Sequence, residues 1–314
     1  MYLIRGLNNI DTFRRSFGHL RFSASIGNFD GLHLGHQHIL DSIKASAKEK
    51  DFASLVFFTE PHASEYFANI SDDDIPPRIC PWRDKVKLLS EYGIDFAFFL
   101  KFNPSLKRMS PEEFIKNVLE KINIKFLQIG DDFRFGKDRA GDFDLLKNWG
   151  DSKDIKVTAS KTFKYDGRRV SSTWIRESLQ KDNFRLASHL LGRPYTFSGK
   201  VVYGQRLGAT IGIPTANLWM PKQTLPVKGV YAVKCNLEGT KINGIANMGL
   251  RPTVGGKTPV LEVHLFAFDQ TIYGQRLEVE FINKIREEKK FDNIDLLKQQ
   301  ILKDINTAQN LLNS

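Results

Sequence analysis

The sequence predicts an α/β protein in two parts: a helix-covered parallel sheet, then a small all-β barrel closed by a terminal helix. Three observations carry this expectation. Between residues 20 and 160, short apolar runs alternate with helix-like stretches, the rhythm of repeated βαβ units. After about residue 192 the rhythm changes to short runs rich in Val, Ile, Tyr and Phe, set between Gly and Pro turns. At 314 residues the chain is also long for one core, so two domains are the natural division.

In the first part, strands are expected at 22–26, 53–58, 96–100, 126–129 and 155–159, with helices around 37–48, 82–92 and 110–121. Ser110-Pro111-Glu112-Glu113 reads as a helix start, with a capping hydroxyl, proline in the first turn and acids at the positive dipole end. Leu191-Gly192-Arg193-Pro194 reads as a helix stop. In the second part, strands are expected at 198–203, 229–236, 260–266 and 276–282. A last amphipathic helix begins near Asp292, with Ile294, Leu297, Ile301 and Ile305 on the face expected to dock on the barrel. The pentapeptide Tyr-Gly-Gln-Arg-Leu occurs at 203–207 and again at 273–277, which reads as reuse of a similar turn.

Composition narrows the class. With 41% hydrophobic and 26% charged residues, the chain matches soluble globular proteins. No apolar run reaches the length of a membrane span, and the first residues lack a signal-peptide pattern. Cys80 and Cys235 fit neither a metal spacing nor a disulfide framework, so a reducing cytoplasm is expected, with both thiols packed. The net charge of +10 is spread without a basic block, which favours small anionic substrates over nucleic acid. The expected species is a monomer or weak homo-oligomer with no membrane partner.

The most informative stretch is Gly27-Asn28-Phe29-Asp30-Gly31-Leu32-His33-Leu34-Gly35-His36, between the first expected strand and the first expected helix. Unpaired N–H groups and the positive dipole end of a first helical turn attract an anion. Glycines let backbone approach a phosphate, and two imidazoles donate to charge building on phosphoryl oxygens. Gly130-Asp131-Asp132-Phe133-Arg134-Phe135-Gly136 places polar groups at another strand end. Val170-Ser171-Ser172-Thr173-Trp174-Ile175-Arg176 puts hydroxyls at a helix start with an arginine one turn on, a phosphate site or plain capping.

In the second part, Gly208 to Asn217 is a glycine-punctuated loop ending in two hard oxygen donors, Thr215 and Asn217. They suit Mg²⁺ bound with substrate phosphates, or belong to an ordinary buried turn. In Leu261-Glu262-Val263-His264-Leu265, Glu262 shares a face with His264. It is either a proton acceptor for a substrate hydroxyl or part of a wetted strand face.

In order, Gly27–His36, Thr59-Glu60-Pro61-His62, Gly130–Gly136 and Ser171–Arg176 resemble the adenylyltransferase module of bacterial bifunctional riboflavin kinase/FMN adenylyltransferases, also called FAD synthetases, within the His-x-Gly-His nucleotidyltransferase superfamily. One departure is that Phe58 precedes Thr59, whereas the family usually has Thr-Phe before the acidic-Pro-His element. Gly199–Tyr203, Gly212–Asn217, Asn247–Thr253, Leu261–His264 and Arg286–Phe291 resemble the riboflavin kinase module. The likeness runs nearly end to end. It implies a Rossmann-like nucleotidyltransferase domain over 1–184 and a six-stranded antiparallel barrel with a terminal helix over 185–314.

The resemblance also implies two ATP-dependent reactions, riboflavin to FMN and then FMN to FAD with release of pyrophosphate. His33 and His36 would serve the second reaction. Gly27, Asn28, Phe29, Asp30, Gly35, Ser172, Thr173 and Arg176 would help bind its ATP, and His62, Asp132 and Arg134 would line the FMN and adenylyl pocket. In the kinase module, Glu262 would be the base and Thr215 and Asn217 would bind Mg²⁺–ATP. Gly208, Gly212, Pro214 and Arg286 would lie at the nucleotide or flavin. The rival expectations are a nucleotidyltransferase with another acceptor, or a basic nucleic-acid or flavin-responsive binding protein with degenerate catalysis.

Overall fold

A computed structural model describes residues 1–71, 77–204, 207–220, 225–253 and 256–313. Gln205 and Arg206, within the first copy of the repeated pentapeptide, lie outside the described residues. The chain forms two compact units, Met1–Ile75 with Lys85–Ser171, and Pro76–Asp84 with Ser172–Ser314.

The first unit is built on six parallel strands: β1 (Tyr2–Arg5), β2 (Phe22–Ile26), β3 (Ala53–Glu60), β4 (Phe96–Lys101), β5 (Ile124–Ile129) and β6 (Lys156–Ala159). Their order is β1-β4-β3-β2-β5-β6. The chain lays β3 and β4 to one side of β2, then returns to place β5 on its other side. This makes β2 the topological switch point, where a crevice opens at the carboxyl ends of the strands. A short hairpin, β7 (Lys164–Tyr165) and β8 (Arg168–Arg169), follows the sheet. The helices along this half of the chain are α1 (Ile10–Phe17), α2 (Leu34–Lys50), α3 (Ala63–Ser71), α4 (Trp82–Glu91), α5 (Pro104–Arg108), α6 (Pro111–Asn117) and α7 (Phe143–Ser152).

β2 shows why the layers form. Its Phe22 and Ala24 join a core with Phe13, Leu55, Phe57, Phe96 and Phe98. By strand alternation the fully buried Ser23 and Ser25 face the opposite layer, and small side chains there let α2 lie close with Leu40 and Ile43 buried. All five expected strands are present, with ends shifted by a few residues, and Tyr2–Arg5 adds a sixth. Ser110 and Glu113 form the reciprocal capping box. That helix stops at Asn117, short of the expected Lys121, and tightens into a 3₁₀ turn over Leu119–Lys121.

In the second unit, the run from Ser172 opens with α8 (Ser172–Gln180) and α9 (Phe184–Leu191), the latter ended by Gly192 in the left-handed region. A closed antiparallel barrel follows: β9 (Thr196–Val202), β10 (Ala216–Leu218), β11 (Gly229–Leu237), β12 (Thr240–Thr253), β13 (Gly256–Leu265) and β14 (Arg276–Arg286). The single-turn helix α10 (Leu207–Thr210) precedes β10. Around the barrel the order is β10-β13-β12-β11-β14-β9, with β9 paired to β10 to close the ring. Phe197, Val201, Leu218, Tyr231, Val233, Met248, Leu261, Val263, Val279 and Phe281 are buried, and they alternate with outward positions along each strand. Burial pushes the Cys235 thiol up to about 12, which suits the packing role expected of it.

The terminal helix, α11 (Ile294–Asn313), packs Ile305, Ala308, Leu311 and Leu312 against Val230, Ala232, Ile245, Phe266 and Ile285. The expected docking face is therefore shifted. Ile294 is 54% exposed, because the first turn lies beyond this apolar cluster. The helix is also held by charge: Arg286 at the end of β14 donates from Nε and Nη2 to the buried Asp304 carboxylate at 2.8 and 2.7 Å. Removing one partner of such a pair strands the other charge. Asp304→Ala is expected to lower the stability of the second unit by about 3 kcal/mol in urea unfolding. Adding Arg286→Met should recover most of that loss.

Candidate active sites

The first site grows from the reversal between β2 and α2. Phe29 (φ 48°) and Leu32 (φ 42°) adopt left-handed backbone that side-chain-bearing residues rarely tolerate, a strain that collects at functional loops. The buried Phe29 ring holds the loop in place, 3.3 Å from the position of a Cβ on Gly27 and 5.3 Å between centroids from His36. Asn28 Oδ1 accepts from the Thr59 hydroxyl at 3.1 Å, so the threonine at the departure noted in the family pattern still contacts this loop. Asp30 is buried beneath the loop.

His33 is the N-cap of α2, its Nδ1 accepting from the His36 backbone N–H at 3.3 Å. An Nδ1 that accepts leaves the proton of the neutral ring on Nε2, as a donor. The two imidazoles stack at 3.6 Å with an interplanar angle of 17°. Gly35 makes this possible. A Cβ there would lie 3.1 Å from the His33 ring and 3.2 Å from the Val170 carbonyl oxygen. His36 Nδ1 is buried and has no hydrogen-bond partner among the described residues. Such an orphan costs about 1–3 kcal/mol unless a ligand satisfies it. Burial, and then unfavourable electrostatic interaction with His33, Lys85 and Arg169, holds His36 well below its ordinary value near 6.5.

His62 is buried, with its backbone N–H donating to Glu65 Oε2 at 3.1 Å and its Nε2 2.9 Å from Lys85 Nζ. Asp132 pairs with Arg169 at 2.8 Å, and Arg169 also reaches Asp131 at 3.2 Å. Arg134 is exposed and donates to the carbonyl of Phe133. Ser172, Thr173 and Arg176 belong to the second unit, where Ser172 and Thr173 open α8 and Arg176 Nε donates to the Pro77 carbonyl at 2.8 Å. Lys85 escaped the sequence reading. It is fully buried, beside His62 and 4.9 Å from the Phe58 ring centroid, and nothing in Arg83-Asp84-Lys85 distinguishes it from a surface lysine.

The second site lies on the outward side of three barrel strands. Register puts Asn217 of β10 opposite Glu262 of β13, and Glu262 opposite Asn247 of β12. The neighbouring Leu218, Leu261 and Met248 point into the buried interior, so the Asn217–Glu262–Asn247 row faces away from it. Asn247 also escaped selection, because strand register is not written in one sequence. His264, two residues along β13, donates from Nδ1 to the Pro214 carbonyl at 2.7 Å and ties down the loop that carries Thr215. Gly212 takes φ +81°, and the Ile213 N–H donates to the Gly208 carbonyl at 2.8 Å. A Cβ on Gly204 would collide with the Asn217 carboxamide, which occupies that space.

Thr215 and Asn217 offer a hydroxyl and an amide oxygen, hard donors that leave coordination positions for phosphates, so they fit Mg²⁺ carried by a nucleotide. Among the described residues, no group of three or more His, Cys, Asp or Glu is arranged to hold a metal. Arg286, expected near the flavin, is engaged with Asp304 and donates from Nη1 to the Glu287 carbonyl.

The stacked histidines at the switch point of the parallel sheet are thus followed, on the same chain, by a closed antiparallel barrel with Glu262 on its outward face. Residues 19–174 match the family model for FAD synthetase, and residues 191–312 match that for riboflavin kinase. The bifunctional riboflavin kinase/FMN adenylyltransferase of Haemophilus influenzae is 43% identical over 316 residues, covering 100% of each chain. That of Escherichia coli K12 is 41% identical over 311 residues, 98% of this chain and 97% of the relative. The chain belongs to the bifunctional riboflavin kinase/FMN adenylyltransferase family. A solved structure titled as a macrolide-efflux protein from Streptococcus pneumoniae matches with a TM-score of 0.78 at 27% identity, covering 99% of each chain. No helix among the described residues is long and apolar enough to cross a membrane.

His36 gives a pH signature. The folded chain keeps its ring neutral, whereas the unfolded chain protonates it near 6.5. Below that pH the unfolded state binds more protons, so stability falls as pH falls. Urea unfolding is expected to show this decline between about pH 7 and 5.5, and His36→Gln should make it shallower.

Proposed function

We propose that this chain converts riboflavin to FMN and FMN to FAD, using one ATP in each step. The observation that carries the reading is that family models for FAD synthetase, over 19–174, and riboflavin kinase, over 191–312, divide one chain that a bifunctional relative matches over its full length. The working division is 1–184 for adenylylation and 185–314 for phosphorylation.

In the barrel, Glu262 takes the proton of the ribityl hydroxyl as that oxygen attacks the γ-phosphorus of ATP and ADP leaves. Thr215 and Asn217 would hold the nucleotide-bound Mg²⁺, and Gly208, Gly212 and Pro214 would shape the loop around the phosphates. When bound, Mg²⁺ neutralises phosphate charge. Arg286 contributes by positioning the barrel wall beside the flavin.

On the sheet, an FMN phosphate oxygen attacks the α-phosphorus of ATP and pyrophosphate leaves. No bond to the protein forms, so positioning and charge stabilisation do the catalysis. His33, from Nε2, and His36 donate to the phosphoryl oxygens as charge builds there. Gly27, Asn28, Phe29, Asp30 and Gly35 form the ATP loop, and Ser172, Thr173 and Arg176 bind further phosphate oxygens. His62, Asp132 and Arg134 serve the FMN side. Lys85 acts as a positioning residue through His62. This reading holds an enzyme of the cytoplasm, a monomer or weak homo-oligomer, acting on small molecules without nucleic acid or a membrane.

Purified protein given riboflavin, ATP and Mg²⁺ is expected to form FMN and then FAD; absence of both products, with active controls, overturns the proposal. His36→Ala should slow FAD formation by about 10²–10³-fold and spare FMN formation. Glu262→Ala should slow FMN formation by about 10²–10⁴-fold, yet make FAD when FMN is supplied. Equal loss of both activities in either variant would refute the assignment of residues.

A further inference from the structure

The repeated Tyr-Gly pair meets itself in space. Tyr203 follows β9 and Tyr273 precedes β14, and these strands are antiparallel neighbours. The Val201 N–H donates to the Gln275 carbonyl at 2.8 Å and the Gly274 N–H to the Val201 carbonyl at 2.9 Å. The two tyrosine rings stack with centroids 4.0 Å apart and planes 22° apart. Both lie at the surface, 69% and 37% exposed, so the stack adds little to the barrel core. What it fixes is the exit of the chain from β9.

The residue at that exit is Gly204, whose missing side chain leaves the space that the Asn217 carboxamide fills. Asn217 is buried, paired with Val202 on one side and Glu262 on the other. A backbone displaced at 204 would therefore turn the amide oxygen away from the nucleotide-bound cation. We infer that the Tyr203–Tyr273 stack is a clasp that positions Gly204, and through it the Asn217 carboxamide, for Mg²⁺–ATP in the kinase reaction. The inference rests on the kinase reading above. It also gives both copies of the Tyr-Gly pair a use, since each supplies one ring of the clasp.

Tyr273→Ala and Tyr273→Phe test it, since neither removes a buried group or a ligand donor. With Tyr273→Ala, KM for Mg²⁺–ATP in riboflavin phosphorylation is expected to rise about 3- to 10-fold, the range that one aromatic pair supports. Its kcat should stay within about twofold, KM for ATP in FMN adenylylation should not move, and Tyr273→Phe should restore the wild-type KM. Calorimetric titration with Mg²⁺–ADP should show one site weakened by the same factor. Unchanged KM and Mg²⁺–ADP affinity in Tyr273→Ala, or an equal defect in Tyr273→Phe, overturns the clasp. A fall in kcat for both reactions also overturns it, because that is general loss of structure. A wild-type protein that binds Mg²⁺–ADP but phosphorylates no riboflavin overturns the kinase reading and the clasp with it.

Discussion

The first site depends on one constraint: the chain must leave the central strand of a parallel sheet and enter a helix within a few residues without filling the crevice between them. Phe29 meets that constraint. Its ring is buried beneath the loop while its backbone takes a conformation that only local packing can sustain. With the loop held there, His33 caps α2 and stacks on His36, and the Gly35 backbone slips between His33 and the Val170 carbonyl. The two imidazoles are thus fixed relative to one another by the backbone and packing of the loop itself.

The barrel solves a different problem. A closed six-stranded ring has little interior space, and this one is filled by Phe197, Tyr231, Phe281 and their aliphatic neighbours. Polar groups are therefore carried on the outside. The row Asn217–Glu262–Asn247 lies there at a pitch set by strand spacing, and His264 anchors the adjoining loop through the Pro214 carbonyl. α11 covers a neighbouring part of that outer surface, held by Ala308 packing and by the Arg286–Asp304 pair.

Features with local causes were legible in the sequence. Ser110 and Glu113 announce a helix start, Gly192 a helix end, and Gly27–His36 a strand-to-helix junction, because capping and left-handed backbone have residue preferences of their own. Features with tertiary causes were not. β10 has three residues and β12 runs through Gly249 and Pro252, so neither shows a clean alternation that would mark a strand. Lys85 reads as solvated until its helix is seen to bury it beside His62. The partner of Arg286 is Asp304, eighteen residues on in another element, which no local pattern announces. Asn247 gains meaning only from the register that sets it against Glu262.

The pairing of β9 with β14 has a consequence for the timing of folding. The first and last strands of the ring are neighbours, so the barrel cannot close until residue 286 is available, and α11 cannot dock until the chain is nearly complete. Long-range closures of this kind form late and leave open edges in the meantime. On a ribosome, the sheet-forming residues up to 171 emerge well before any closed barrel exists. A chain truncated ahead of β14 would present unpaired β9 and β11 edges and would be a ready substrate for chaperones and proteases.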